Sequence, residues 1–275
     1  MNIQKILSMT VRFIFCFIGG FINNTSMCNN ELNFLKQELE RKEVDALYNV
    51  AKFYGLSSEQ YQRFLDIITQ EKELVFNDIG SYNPKKFESV QHLSGFPVDV
   101  AEKVCKRNGI DYRNVILWHQ EGSYANNTTG DAEAFATASY EMRDISVNKD
   151  GKYQYSSECV HKPRIDIYPS FHLLSDDQKQ AMLIHEIEHI KRLHSFKKAV
   201  MKCAINRPNN DFYASSAIRQ YRKAEENSAN IIPAIENAEV AQLLAGICQS
   251  DKRRIFSNED CQLLRKINTL HQNKN

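Results

Sequence analysis

The chain has 275 residues, of which 42% are apolar and 25% are charged, and its formal net charge is +1. This length is enough for one large domain or two small ones, and the composition excludes a disordered, collagen-like or low-complexity chain. A net charge near zero, without a basic stripe among aromatic residues, gives no indication of nucleic-acid binding. We therefore expect the function to depend on a local group of residues.

The N-terminal segment has the pattern of an export signal. Lys5 and Arg12 are basic, residues 13–22 form a run of ten apolar residues, and small polar residues follow. Ten residues form about 15 Å of helix, which is too short for a bilayer core of about 30 Å. We predict that residues 1–28 are a cleaved signal peptide, with a membrane anchor as the alternative, and that the protein is exported (periplasmic or secreted) or membrane-anchored.

The rest of the chain divides into a mainly helical part, residues 29–110, and a part with helices and strands. In the first part, Ser57 or Ser58 is the predicted N-cap of a helix. Runs rich in β-branched and aromatic residues predict strands at residues 115–118, 134–140 and 164–168. Ser175 is the predicted N-cap of a long helix, and helices are predicted over residues 175–198, 211–232 and 257–271.

The long helix contains an HExxH motif, His185-Glu186-Ile187-Glu188-His189. Residues four apart on a helix lie about 40° apart around its axis, so both imidazoles can reach one metal ion. Zinc suits this pair because imidazole is one of its usual ligands, and none of the seven cysteines lies in a Cys-x-x-Cys pair. Glu186 is the predicted general base, which accepts a proton from the attacking water and passes it to the leaving amine.

A catalytic zinc site also needs a third protein ligand and an open position. Arg192 and Ser195 occupy positions at which metzincins have glycine and histidine, so that class is excluded. His194 lies about 140° around the helix from the second motif histidine, and we predict that it is a core residue. The remaining candidates are Glu225 and Glu226 on the next predicted helix, of which Glu226 is favoured.

Taken in order, these motifs resemble the gluzincin metallopeptidases, in particular the HtpX-like and CAAX-prenyl-protease-like zinc endopeptidases. The resemblance covers about residues 111–235 and rests on AFAT at 134–137, IDIY at 165–168, LLSDDQ at 173–178, the HExxH motif with His194, and ENSAN at 226–230. Three positions depart from the family pattern. Glu133 stands where asparagine is usual, Glu188 stands where glycine is common, and Asn230 stands where aspartate is usual.

The resemblance implies an α+β, zincin-like metallopeptidase domain over residues 111–275, with a small mixed sheet, an edge strand, the HExxH helix and a second ligand helix. It implies one zinc ion per chain held by His185, His189 and Glu226, with Glu186 as general base. It also implies that an extended peptide or protein substrate adds as a strand to Ala134, Phe135 and Ala136.

The predicted function is therefore that of a zinc-dependent metalloendopeptidase. The alternative is a catalytically weak or inactive gluzincin-like protein that binds a peptide or protein partner. Two residues motivate this alternative: Glu188 adds a charge beside the site, and Asn230 replaces a residue that orients a ligand. The sequence does not select an oxyanion donor among His161, His172, Arg219 and Tyr221.

Overall fold

The computed structural model describes residues 24–77, 116–119, 136–141, 145–147, 153–155, 162–205, 215–250 and 255–274. The predicted signal segment up to residue 23, residues 78–110, and the predicted substrate-binding residues Ala134 and Phe135 lie outside these ranges. Among the described helices, none is both long and apolar enough to cross a membrane.

Seven α-helices make up most of the described structure. They are α1 (Asn24–Phe53), α2 (Ser58–Asn77), α3 (Asp176–Lys191), α4 (His194–Ile205), α5 (Ser216–Glu236), α6 (Ala238–Ser250) and α7 (Asn258–Gln272). A 3-10 helix, Pro169–Leu173, precedes α3. The HExxH motif lies in the C-terminal half of α3.

The described strands are three to six residues long. They are β1 (Ile116–His119), β2 (Ala136–Glu141), β3 (Ile145–Val147), β4 (Tyr153–Tyr155) and β5 (Lys162–Ile167). β5 lies between a parallel β1 and an antiparallel β2, so that Ile165 is opposite both Leu117 and Ala138. β3 and β4 form a separate antiparallel pair.

The predicted α+β, zincin-like fold is wrong. The described chain is predominantly helical, and both of its hydrophobic cores are built mainly from helix residues. The predicted domain, residues 111–275, included a small mixed sheet because strand-like patterns are concentrated before residue 169. The apolar surface is instead buried between helices, including α1, which was assigned to a separate N-terminal part, and α6, which was not predicted.

Several helix starts follow from serine caps. Ser175 caps α3 by accepting from the backbone N–H of Gln178, whose side chain accepts from the Ser175 N–H, so this N-cap prediction is confirmed. Ser57, rather than Ser58, caps α2 in the same way. Helix α5 begins at Ser216 behind the cap Ser215, five residues later than predicted.

The predicted long helix over residues 175–198 is wrong because the chain breaks between α3 and α4. Leu193 has a φ of 57°, in the left-handed region. This conformation costs a residue with a Cβ about 1–2 kcal/mol. Burial of the Leu193 side chain offsets the cost, since that side chain is only 1% exposed. The break changes the direction of the chain just after the second motif histidine.

Three stretches of helix, α1, α3–α4 and α5, each cross from one hydrophobic core to the other. The first core includes Leu32 of α1, Ile187 of α3 and Ile231 of α5, together with Ile165 and Ile167 of β5. The second core is formed by residues of α1, α2, α4 and α5, with Leu193, and its members include Val50, Phe64, Phe196 and Ile218. At the boundary between the two cores, the three stretches carry polar side chains, and this is where the candidate site lies.

Helices α6 and α7 are joined by a disulfide between Cys248 and Cys261. The spacing of the cysteines had not allowed this pair to be predicted. Cys28, on α1, is buried as a free thiol. The disulfide fixes α7 beside α6, and α7 carries a residue that supports the site.

Candidate metal centre

The structure brings together the three residues predicted as metal ligands. One ligand atom from each of His185, His189 and Glu226 lies within 4.8 Å of the others. The two histidine Nε2 atoms are 3.0 Å apart. The Glu226 Oε2 atom is 3.3 Å from His185 Nε2, and its Oε1 atom is 3.7 Å from His189 Nε2. Helix α5 thus places a carboxylate directly opposite the two imidazoles of α3.

These separations fit a zinc ion. Zinc bonds to histidine nitrogen and carboxylate oxygen are about 2.0–2.2 Å long, so neighbouring ligand atoms of a tetrahedral site lie about 3.3–3.6 Å apart. The two nitrogens, 3.0 Å apart, are slightly closer than this, and the Glu226 oxygens, Oε2 at 3.3 Å from His185 and Oε1 at 3.7 Å from His189, are near the two ends of the range. Two nitrogens and one carboxylate are also a donor set typical of catalytic zinc.

Glu225 is directed away from this group. Its carboxylate accepts a bond from Lys198 Nζ at 2.9 Å and is fully buried. Burial raises the pKa of Glu225, although Lys198 opposes this effect. The side chain of Glu226 is by contrast 52% exposed, so the cluster is open on one side. Of the two sequence candidates, the structure therefore places only Glu226 at the histidines.

The predicted general base Glu186 lies beside the same group. Its side chain is buried, and its Oε1 atom is 4.0 Å from His185 Nε2. This position next to a ligand atom follows from the helix, since Glu186 is the neighbour of His185 on α3. A carboxylate here can reach a water molecule bound among the ligand atoms.

The charges of the cluster are strongly coupled. Desolvation by the surrounding protein opposes ionisation of Glu226, although its side chain is half-exposed, but the contacts with His185 and His189 hold the pKa of its carboxyl well below the usual range. Burial also opposes a charge on His185, but Glu226 and then Glu186 raise the pKa of this imidazole to about 9. The carboxylate therefore favours a cation between the three side chains.

The other ring nitrogen of His185 is held by α5 and α7. His185 Nδ1–H donates to Asn230 Oδ1 at 2.7 Å, and the Asn230 amide donates to Asp260 Oδ2 at 3.2 Å. The Ser257 hydroxyl, at the N-cap of α7, donates to the same oxygen of Asp260 at 2.8 Å. Because Nδ1 is bonded to Asn230, Nε2 is the nitrogen of His185 that faces Glu226 and His189, and it can act as a ligand when a metal displaces its proton. Asn230 thus retains an orienting contact, and Asp260 supplies the carboxylate one step further out.

The other ring nitrogen of His189 is held by α4 and α1. His189 Nδ1 is 2.7 Å from His194 Nδ1, and His194 Nε2 is 3.1 Å from Glu43 Oε2. His194 is completely buried, and this burial lowers its pKa to about 3 despite the contact with Glu43. His194 is a buried residue, as the sequence predicted. It also contacts His189 of the motif, because the chain changes direction at Leu193.

Glu188 is paired on the side of α3 that faces α1. Its Oε1 atom accepts from Arg192 Nε at 2.7 Å. Arg192 also donates to Glu43 at 3.2 Å and to Glu40 at 3.1 Å, and Lys197 donates to Glu43 at 2.7 Å. Glu188, whose charge was expected beside the site, is therefore paired with Arg192, which it shares with Glu40 and Glu43.

The structure describes only some of the residues predicted to bind substrate or to stabilise the oxyanion. Ala136 begins β2, an outer strand of the described sheet that packs beside α3, whereas Ala134, Phe135 and His161 lie outside the described residues. Tyr221 is fully buried in the second core next to Glu225. It therefore lies in the interior of the protein rather than on the open side of the cluster.

Glu43 and Asp260 were not predicted from the sequence. Glu43 ends a charged segment, residues 38–43, which has the composition of a solvated helix face. Asp260 lies in the first turn of α7, where an acidic residue is usual for capping reasons alone. Only the tertiary structure connects them to the motif.

A comparison of the chain with family models, curated proteins and solved structures found no match.

Proposed function

We propose that the protein is a zinc-dependent metalloendopeptidase. The observation that carries the proposal is the convergence of His185, His189 and Glu226 within 4.8 Å, with the Glu186 carboxylate beside them. The resemblance of the ordered motifs to gluzincin peptidases supports the same reaction. A zinc ion, when bound, polarises the scissile carbonyl and lowers the pKa of a water molecule.

The residues of the chain have separate tasks in this reaction. His185, His189 and Glu226 hold the metal, and the exposed side of Glu226 leaves room for water and substrate. Glu186 accepts a proton from the attacking water and transfers it to the amine nitrogen as the carbon–nitrogen bond breaks. An extended substrate lies along residues 134–136, of which Ala136 belongs to β2.

Two contacts favour an enzyme over the binding-only alternative. The charge of Glu188 is paired with Arg192, so it does not compete with the metal for the site. Asn230 keeps a 2.7 Å bond to His185, so the departure from aspartate does not remove the orienting contact.

Export is part of the proposal. The N-terminal segment has the pattern of a signal or anchor, and the Cys248–Cys261 disulfide is typical of an oxidising compartment. We expect the protein to be found outside the cytoplasm, with residues 1–28 removed or retained as an anchor.

The test compares Glu186→Gln with Glu188→Gln. Glu188 is a matched control because it is a second buried carboxylate on the same helix, paired with Arg192. We expect the wild type and both variants to bind about one zinc per chain. We expect Glu186→Gln to lose peptide hydrolysis by at least about 100-fold, since proton transfer contributes about 10²–10⁴-fold, and Glu188→Gln to remain active.

The measurements are metal content and digestion of a peptide library. Full activity of Glu186→Gln refutes its role as general base. A zinc-loaded wild type that cleaves no peptide supports the binding-only alternative. Purified protein that takes up no zinc contradicts both readings.

A further inference from the structure

Glu43 reaches the candidate metal centre from α1, an element outside the region that resembles the metallopeptidases. Its Oε2 atom is 3.1 Å from His194 Nε2, and His194 Nδ1 is 2.7 Å from His189 Nδ1. All three side chains are buried, with exposed fractions of 3%, 0% and 7% in the same order. Resting on the proposed function, we propose that Glu43 is a positioning residue for the metal ligand His189 and acts through His194.

The position of the ring hydrogens decides which nitrogen of His189 can bind a metal. The Glu43 carboxylate oxygen lies 3.1 Å from His194 Nε2 without the geometry of a hydrogen bond. At this distance an unprotonated Nε2 would turn its lone pair toward a negative oxygen, so the ring hydrogen of His194 is favoured on Nε2. In neutral His194, Nδ1 is then an acceptor, and the hydrogen of the 2.7 Å contact belongs to His189 Nδ1. His189 Nε2, which faces His185 and Glu226, therefore presents a lone pair.

A hydrogen bond in the opposite direction, from His194 to His189, would block the candidate metal centre. If His194 carried its hydrogen on Nδ1, it would donate to His189 Nδ1, and the hydrogen of His189 would move to Nε2. A protonated Nε2 cannot bind a metal. Arg192 and Lys197 also bond to Glu43, and with His194 they hold the pKa of its carboxyl well below the usual range, against the effect of burial. Glu43 therefore remains the negative group that fixes the direction.

Glu43→Gln tests this direction because an amide is nearly the same shape but can donate as well as accept. Glu40→Gln is the matched control. Glu40 lies one turn away on α1 and bonds to Arg192 at 3.1 Å, but in the described structure it is not bonded to His194. Both substitutions remove one carboxylate from Arg192, and only Glu43→Gln changes the partner of His194.

The first measurement is the affinity for Zn²⁺ by chelator competition, with the visible spectrum of bound Co²⁺ as a second readout. We expect Glu43→Gln to weaken zinc binding about 10–100-fold, the usual effect of losing an outer partner of a metal-bound histidine, and to change the Co²⁺ spectrum. We expect Glu40→Gln to bind within about twofold of the wild type. Wild-type affinity and an unchanged spectrum for Glu43→Gln overturn the proposal.

A double-mutant cycle with His194→Phe tests whether Glu43 acts through His194. In the His194→Phe background, Glu43→Gln should cause no further loss of zinc affinity, whereas independent effects would add. Additive losses overturn the proposal. If the Glu43→Gln variant does not fold, the double variant Glu43→Gln with Lys197→Met takes its place in both experiments. The second substitution removes the positive charge that Glu43 would otherwise leave unpaired.

Histidine nitrogen NMR of the metal-free protein gives a readout that needs neither metal nor activity. We expect the ring hydrogen of His189 on Nδ1 in the wild type and in Glu40→Gln, and a redistribution toward Nε2 in Glu43→Gln. An unchanged His189 overturns the proposal. If these results hold but the zinc-loaded protein cleaves no peptide, the proposed peptidase function fails and the positioning role of Glu43 stands.

Discussion

His185 and His189 are four residues apart on one helix, but the networks that hold their outer nitrogens differ in chemistry and origin. On the His185 side, an amide and an aspartate from α5 and α7 form the support. On the His189 side, a second imidazole and Glu43 from α1 form a buried, charged support. The HExxH spacing thus brings two candidate ligands together, whereas their orientation depends on opposite ends of the chain.

This difference has a physical reason. Asn230 is on α5, near the C-terminal helices, and a neutral amide can orient His185 without bringing a new charge next to it. His189 lies at the boundary of the two cores, where Arg192 and Lys197 are held between α1 and α4. A carboxylate at position 43 balances these cations and directs His194 at the same time.

The largest effect is expected from the disulfide, which belongs to the His185 side only. A bridge between residues 13 apart stabilises a protein by about 3 kcal/mol. Reduction of Cys248–Cys261 should lower the free energy of unfolding by about that amount. Hydrogen exchange should then show faster opening in α6 and α7 than in α1.

The control is the variant Cys248→Ser with Cys261→Ser, which should not respond to the reductant. An equal loss of hydrogen-exchange protection in α1 would contradict this prediction. It would mean that the networks behind His185 and His189 unfold as one cooperative unit.

A smaller effect is expected from Asn230→Ala, which removes the partner of His185 Nδ1. Zinc affinity should fall about 10–100-fold, or about 1.4–2.7 kcal/mol. Asn227→Ala, on the same helix, is the control and should bind nearly as tightly as the wild type. The effects of Asn230→Ala and Glu43→Gln should add in the double variant, since the two networks support different ligands. A combined loss smaller than the sum would show that the supports communicate.

The smallest effect is the contribution of Glu43, on the His189 side, to the pH dependence of stability. The pKa of Glu43 is lowered in the folded protein, so its stabilising effect is complete above the ordinary glutamate pKa of 4.5 and is lost as the pH falls below it. Between pH 4.5 and 3, the free energy of unfolding should decrease by about 1.4 kcal/mol per pH unit for this one proton. Denaturant unfolding of the wild type and of Glu43→Gln at several pH values measures this decrease. If the free energy of unfolding changes equally with pH in both proteins, the lowered pKa of Glu43 is refuted.

The sequence contained enough information to identify the ligand candidates, because helical spacing places His185, Glu186 and His189 on known sides of α3. It also predicted the Ser175 cap, since local hydrogen bonds determine where α3 begins. It did not predict the helix break, because a leucine with positive φ has no local signal and is stabilised only by its burial.

The fold class was wrong for a related reason. Strand patterns describe local preference, but the burial of apolar surface between helices decides which elements form the cores. Glu43 lies among charged residues on α1, and its contact with His194 depends on how distant helices pack. A local pattern does not contain that information.

The placement of Glu43 on α1 also has a consequence for the order of events during folding. About 150 residues separate it from His194, so this contact closes a long loop and we expect it to form late in folding. Until it forms, we expect the ring hydrogen of His189 to be unfixed and the two histidines of α3 to be loosely oriented. The proposed metal capture would accordingly be one of the last steps of maturation, and a partly folded chain would hold the ion weakly.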